Sequence, residues 1–594
     1  MIFPVFRVVS NGMSRFIYLR IKIGYDVIRE MNMKKQISRR DFIKASAGAG
    51  ILLGLTGPSF PRVRKNGTFD VVIQNGSLAD GIKNQTYKAD IGIAGERIQK
   101  IGDLSGAPRK TIIDATDRIV SPGFVDIHTH TDVEILINRK AESKIRQGVT
   151  TELGGNCGSS PFPMKQPLPD YEKQLAEKTG ISIDWVDLEG FHAAIESRGT
   201  AVNHATLVGQ GTVRGYAMGD DQREPTAEEL EQMKKLVAEA MEQGAFGLST
   251  GLEYTPGGFA ETDEIIALCQ IAADYGGFYA THIRSEDKAV LEAVGEAIHI
   301  AETAGLPLEI AHFKAVGKTN WWKLPLMIDL VERAAARGLD ITADRYPYIA
   351  YSTGLTILYP QWALDGGLEQ LIERLKDDKT RQSMKAETLK KVLGYGWDKI
   401  VISNLNKKHN QWLIGKSIGE AAATKKADPY DFMCDLIIDD ESNISHIGFG
   451  MNEETTEMVL RHPLVMLGSD GSSLAPYGPL SEGKPHPRNY GTFPRFLGYY
   501  VRERKLLTLP EAVKKVTSKP AAKLGLNDRG SLKEGNFADI VIFDPEKIAD
   551  KATFIDPHQY PVGIDYVLVN GTTVIDHGKH TDKLPGKVLY GPGK

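Results

Sequence analysis

Between residues 123 and 470 the chain alternates eight short strand-like runs with helix signals, and few folds accommodate that alternation. The runs are Gly123–His128, Thr150–Gly154, Ala205–Gly209, Phe246–Thr250, Gly277–His282, Leu308–His312, Asp340–Tyr346 and Leu464–Asp470. Strands separated by helices pair in parallel, and eight of them predict an α/β fold, a (β/α)8 barrel over residues 122–524. Between them, Thr226-Ala-Glu-Glu229 reads as a capping box ahead of Leu230, Met233, Leu236, Val237 and Met241 at helical spacing. A second helix is expected over Glu286–Ala304, ending at Gly305, with His299 on it as a surface or packing residue.

In such barrels the chemistry sits at the carboxyl ends of the strands. The first run ends in His128-Thr-His130, and residues two apart on a strand point the same way, so two imidazoles stand side by side. The second runs into Gly154-Gly-Asn-Cys157-Gly158, where glycines let the backbone carry a thiolate inward. The fifth ends at His282, the sixth at His312 and the eighth at Asp470. Imidazole and thiolate donors on rigid elements are the usual start of a zinc site.

The flanks read differently. Phe69–Gln74, Ala89–Ile93, Arg97–Ile101 and Lys110–Ile113 are short strand-like runs, and Phe537–Phe543, Gly563–Val569 and Thr572–Ile575 supply more at the far end. A β-sandwich domain assembled from residues 66–121 and 525–590 is expected. The gap after Tyr348 is too long for a simple crossover, and residues 349–444 read as a lid-like insertion over the barrel mouth, with helices at Leu368–Leu375 and Pro429–Asp439.

Residues 1–60 carry ten Lys and Arg against three Asp and Glu, leaving a charge of −11 for the rest of a chain whose total is −4. That acidic body offers no basic footprint for nucleic acid. Ser38-Arg39-Arg40-Asp41-Phe42-Ile43-Lys44 resembles a twin-arginine export signal, and the Ala45–Thr56 run behind it is too short to span a bilayer. The expectation is a folded protein passed through the twin-arginine machinery to the periplasm, without a stable membrane span. Met31 or Met33 would give such a signal a more usual start. Three cysteines build no disulfide framework, and Cys269 and Cys434, in apolar helical patterns, read as buried.

The segments GFVDIHTHTD, TTELGGNCG, GLEYTPG, THIRSE, IAHFK, DRYPY, GSDG, HPRNYGTFPR and VTSKPAAKLGL, in that order, resemble the N-acyl-D-amino-acid deacylases, the D-aminoacylase branch of the amidohydrolase superfamily. The likeness extends from about Phe69 to Pro585. It implies Cys157, His282 and His312 as ligands of a tightly held zinc, and His128 and His130 at a second, weaker position. It implies Asp470 as catalytic acid/base and Arg488 as the grip on the substrate α-carboxylate, with Lys314, Tyr254, Tyr346 and Ser352 lining that pocket. The substrate implied is a small N-acyl-D-amino acid. Arg284 and Glu286 read as a supporting layer. Hydantoinases and dihydroorotases bridge two metals with a carboxylated lysine; no lysine is suitably placed on these strands, and Cys157 takes over that neighbourhood. Gln210 stands where relatives often have histidine, and the longer segment 472–485 beside Asp470 is expected to reshape the pocket. A related amidohydrolase acting on cyclic amides or D-dipeptides is the neighbouring reading. A non-catalytic binding protein on the same frame is more distant, because none of the six ligand and acid/base residues is missing.

Overall fold

A computed structural model describes residues 67–594; the segment expected to act as an export signal lies outside them. Eight parallel strands form the centre: β1 (Phe124–Asp126), β2 (Val149–Gly154), β3 (Asn203–Thr206), β4 (Gly247–Gly251), β5 (Phe278–His282), β6 (Leu308–Ile310), β7 (Ile341–Arg345) and β8 (Val465–Leu467). They pair in sequence order. The third run breaks at Leu207, and its second piece, Val208–Gly209, pairs with β4. The ring closes where the Asp470 N–H donates to the His128 carbonyl at 2.8 Å and the His130 N–H to the Gly471 carbonyl at 3.1 Å. Closure therefore joins two of the predicted site segments directly. Nearly every strand residue is buried, as parallel strands under a helical layer require.

That layer includes the helices Ala227–Glu242, Thr262–Asp274, Val290–Ala304 and Leu324–Ala336. The first opens on the expected capping box. The third begins at Val290 instead of Glu286. Glu286 is drawn inward to Lys314 and His312, which takes its backbone out of the helix.

The strands outside the barrel form two sheets. One places Phe69–Gln74 between Asp90–Ala94 and Arg109–Asp114, with Arg97–Gly102 at its edge. The other runs through Ile119–Pro122 and Ile540–Phe543 to Ile564–Val569 and Thr572–Asp576, so strands from both ends of the chain share it. Ile73, Ile91, Val120, Ile540, Ile542 and Leu568 pack between the two sheets. Ile119–Pro122 leads into β1 through Gly123, where a Cβ would lie 2.1 Å from Thr150 Oγ1, so only glycine fits. The sheet ends at His580; residues 581–594 leave it and run beneath the barrel, with Val588 bridging His204.

Between β7 and β8 the strands Tyr351–Gly354, Ser445–Gly448 and Ile400–Asn404 form an antiparallel sheet. Four helices join it, around a separate core that includes Leu371, Ile402, Met433 and Ile437. One of them, Asp378–Val392, has no apolar stripe in its sequence; Met384, Thr388 and Val392 are all it buries, and the Asp377 side chain caps it. Cys269 and Cys434 are fully buried. Among the described residues, no helix is long and apolar enough to cross a membrane.

Candidate metal centre and substrate cavity

Three of the side chains at the barrel mouth stand on strained backbone. Cys157, His312 and Asp470 take φ of +52°, +35° and +50°, a region that costs non-glycine residues on the order of 1–3 kcal/mol each. Such conformations persist only where surrounding contacts fix them. Each residue lies just past the end of its strand, where the turn swings the side chain over the barrel axis.

The donors form overlapping groups, each with its atoms within 4.8 Å of one another: His128, Cys157 and His312; His128, His130 and Asp470; His282, Glu286 and His312. Cys157 Sγ is 3.4 Å from His128 Nε2 and 3.6 Å from His312 Nε2. His282 Nδ1 is 3.0 Å from the same His312 nitrogen. The three residues implied for the tight site thus meet around His312, and His128 stands closer to the thiol than the sequence reading requires. His130 Nε2 lies 3.0 Å from Asp470 Oδ1. A thiolate with imidazoles suits a borderline-soft divalent ion better than magnesium or calcium, so the residues present fit the metal that the sequence implies.

The electrostatics point the same way. Burial opposes charge on His128, yet Asp344 and Cys157 hold its pKa well above the ordinary imidazole value. His130 is raised to about 9 against burial, chiefly by Asp470 and Cys157, and His282 to about 10 by Glu286, Cys157 and Glu253. Burial would push the Cys157 thiol up, but the neighbouring histidines, His128 foremost, hold it well below its usual range. Burial likewise opposes ionisation of Asp470, and Arg488, His312 and His130 overcome it. Thiolate and carboxylates together create a point in the protein where positive charge is strongly favoured, which is the condition for holding a cation.

Two carboxylates here lie inside matched segments, Asp344 in DRYPY and Glu253 in GLEYTPG, but carried no assigned role in the sequence. Asp344 Oδ2 lies 2.8 Å from His128 Nδ1, and its Oδ1 accepts the His312 N–H at 3.0 Å. Glu253 Oε2 lies 3.1 Å from His282 Nε2. A carboxylate behind a ligand histidine fixes its tautomer and ring orientation. The available signal was position: Asp344 is the penultimate residue of β7, just before Arg345 at the strand's carboxyl end.

A cavity of about 400 Å³ opens over the cluster, walled by His130, Cys157, Tyr254, Ser352, Asp470 and Arg488 among others. A recess of about 60 Å³ continues it past His282, Glu286 and Lys314. Arg488 Nη1 donates to Asp470 Oδ2 at 2.7 Å, and its Nε has no protein partner. Lys314 faces the recess, bound tightly to Glu286 and 2.8 Å from His312 Nδ1, so it acts on that histidine more than on the cavity. Tyr346 forms no part of either wall. It is fully buried behind Arg488, with its ring 5.0 Å from the guanidinium carbon. Arg284 pairs with Glu296 at 2.8 Å, away from the donors, whereas Glu286 touches them. Segment 472–485 supplies no wall residue; the Tyr477 hydroxyl donates to Glu142 at 3.1 Å and the Lys484 N–H to the Ser403 carbonyl at 2.8 Å. Gln210 is buried, donating to Glu264 at 3.3 Å.

A parallel eight-stranded barrel with such donors at its carboxyl mouth defines a metal-dependent hydrolase fold. A sequence profile of the amidohydrolase family matches residues 111–575, and the chain belongs to that family. A D-aminoacylase of Alcaligenes xylosoxydans xylosoxydans is 36% identical over 521 residues, covering 88% of this chain and 97% of that protein. An N-acyl-D-glutamate deacylase of the same organism is 36% identical over 520 residues, covering 88% and 96%. Among solved structures, an N-acyl-D-glutamate deacylase of Bordetella bronchiseptica, complexed with zinc and a phosphonate mimic of the tetrahedral intermediate, superposes with a TM-score of 0.75 at 33% identity, covering 88% of this chain and 100% of that one. A D-aminoacylase structure described by its binuclear metal centre gives 0.75 at 35% identity over the same shares.

Proposed function

We propose that the protein is a zinc-dependent N-acyl-D-amino-acid deacylase, converting an N-acyl-D-amino acid and water into a D-amino acid and a carboxylate. The observation that carries the reading is the meeting of Cys157, His282 and His312 with Asp470 and Arg488 in one cavity. Zinc held by Cys157, His282 and His312 would acidify water and polarise the scissile carbonyl, with His128 and His130 available to a second, weaker ion. Arg488 binds the substrate α-carboxylate through a planar fork of donors, orienting the amide over the ligand cluster. Asp470 accepts a proton as water adds to the carbonyl carbon, then returns it to the amide nitrogen as the C–N bond breaks.

Purified protein should contain zinc and hydrolyse N-acetyl-D-amino acids in preference to their L enantiomers. Asp470→Asn should lower kcat by about 10²- to 10⁴-fold without loss of metal. Turnover of cyclic ureides or D-dipeptides in place of acyl amino acids would overturn the substrate assignment. We also propose export through the twin-arginine machinery, which Arg39→Lys with Arg40→Lys should block, leaving the activity in the cytoplasmic fraction.

A further inference from the structure

The turn that carries Asp470 is held from behind by one buried lysine. Lys144 lies in the short helix Glu142–Ile145, and its side chain is wholly enclosed. An ammonium has three donors, and each of these has an acceptor: Asp126 Oδ2 at 3.0 Å, Ser469 Oγ at 2.6 Å and the Gly471 carbonyl at 2.7 Å. Two of those acceptors belong to the residues immediately before and after Asp470. Asp126, at the end of β1, completes the circuit: its Oδ1 accepts the Ser469 N–H at 2.8 Å, and Ser469 Oγ accepts the Gly471 N–H at 3.1 Å.

Asp470 between them holds a φ of +50°, uncommon for any residue but glycine even though aspartate tolerates it better than most. The neighbours of Lys144 reach the adjoining segments. Ser143 Oγ accepts the Leu474 N–H at 2.8 Å, and Gln147 Nε2 donates to the Asn489 carbonyl at 2.8 Å, next to Arg488. A buried ion pair adds little net stability over an apolar substitute, because desolvation offsets its attraction. What this one supplies is geometry, since its acceptors bracket a single strained residue.

We propose that Lys144, which reaches no wall of the cavity, is a positioning residue for Asp470: it clamps the Ser469–Gly471 turn so that the carboxylate faces the ligand cluster. The inference rests on the reading of Asp470 as the acid/base. Ser469→Ala removes one acceptor of the clamp without stranding a buried charge, and Asp126→Asn combined with Lys144→Met removes the ion pair as a unit. Both variants should keep their metal and their KM for N-acetyl-D-amino acids while kcat falls, by roughly a hundredfold in the double variant, the scale of a 1 Å misplacement. A folded, metal-loaded double variant with wild-type kcat would overturn the clamp. So would a crystal structure of Ser469→Ala with the Asp470 carboxylate unmoved. A wild-type enzyme inert toward every acyl amino acid would strike the functional reading instead, and the crystallographic comparison would still decide the clamp.

Discussion

Asp344 orients two donors with one side chain, one oxygen near the His128 ring and the other on the His312 backbone. Asp344→Asn preserves its shape and removes its charge. The expected result is a 10- to 100-fold loss of metal affinity, read by competition with a chelator, while the fully loaded enzyme keeps most of its kcat. Equal affinity in the variant would mean that the ring needs no such partner. The proposed substrate grip of Arg488 makes a different demand, since a planar guanidinium can hold a carboxylate at two points and a lysine ammonium cannot. Arg488→Lys should lower kcat/KM by about 10- to 100-fold, the equivalent of about one charge-assisted hydrogen bond. At this scale the sequence was informative where chemistry is rare: a cysteine in a glycine turn, an aspartate between Ser469 and Gly471, and histidines closing apolar runs. Asp344 and Glu253 escaped because a lone carboxylate looks the same whether it faces solvent or a ligand, and only the fold brings it to its histidine. The pocket role given to Tyr346 came from motif likeness, and the fold buries that ring behind the arginine.

The barrel strands were legible to within three residues because each is a short run of strand-forming residues set between helix signals, with glycine or polar residues at its ends. The helix Asp378–Val392 was not, because it packs a single narrow row against the insertion and leaves the rest to solvent. The insertion's strand Ser445–Gly448 carries His446, fully buried, with neither ring nitrogen hydrogen-bonded and the ring 5.6 Å from that of Tyr351. Burial lowers its pKa from 6.5 to about 3. In the unfolded chain the same histidine takes up a proton near pH 6.5, so between pH 6.5 and 3 the unfolded state binds one proton more. Folding stability therefore falls as the pH drops through that window, by about 1.4 kcal/mol per pH unit for this proton. His446→Leu removes the titration. Its denaturation midpoint should fall less steeply with acidification than the wild type's, whatever constant offset the new side chain adds. Parallel pH profiles for the two proteins would show that the imidazole finds a proton or a partner inside the fold.

Across the described residues, the strands nearest either end serve the barrel rather than its mouth. The C-terminal strands complete a sheet that the N-terminal strands begin, and Asn570 ties that sheet to β3 by donating to Asn203 at 2.8 Å. Beyond the sheet, residues 581–594 run past the amino ends of β3 and β4. The Gly586 N–H donates to the Thr200 carbonyl at 2.7 Å, the His204 N–H to the Lys587 carbonyl at 2.9 Å, the Leu589 N–H to the His204 carbonyl at 2.8 Å and the Gly591 N–H to the Gly244 carbonyl at 2.8 Å. No apolar run marks this segment, since it pairs through isolated contacts and buries little beyond Val588. Deleting residues 581–594 would leave Thr200, Gly244 and both backbone groups of His204 without these partners. At about 1–3 kcal/mol for each buried group left unsatisfied, the loss is several kcal/mol even after water repays part of it. The donors of the metal centre stand at the opposite, carboxyl ends of the strands, so the site should survive the loss. The truncated protein should therefore melt earlier and resist denaturant less, while its folded fraction keeps the metal content and kcat of the full chain. A truncated protein that stays as stable but loses its metal would mean that the two faces of the barrel are coupled through the strands themselves.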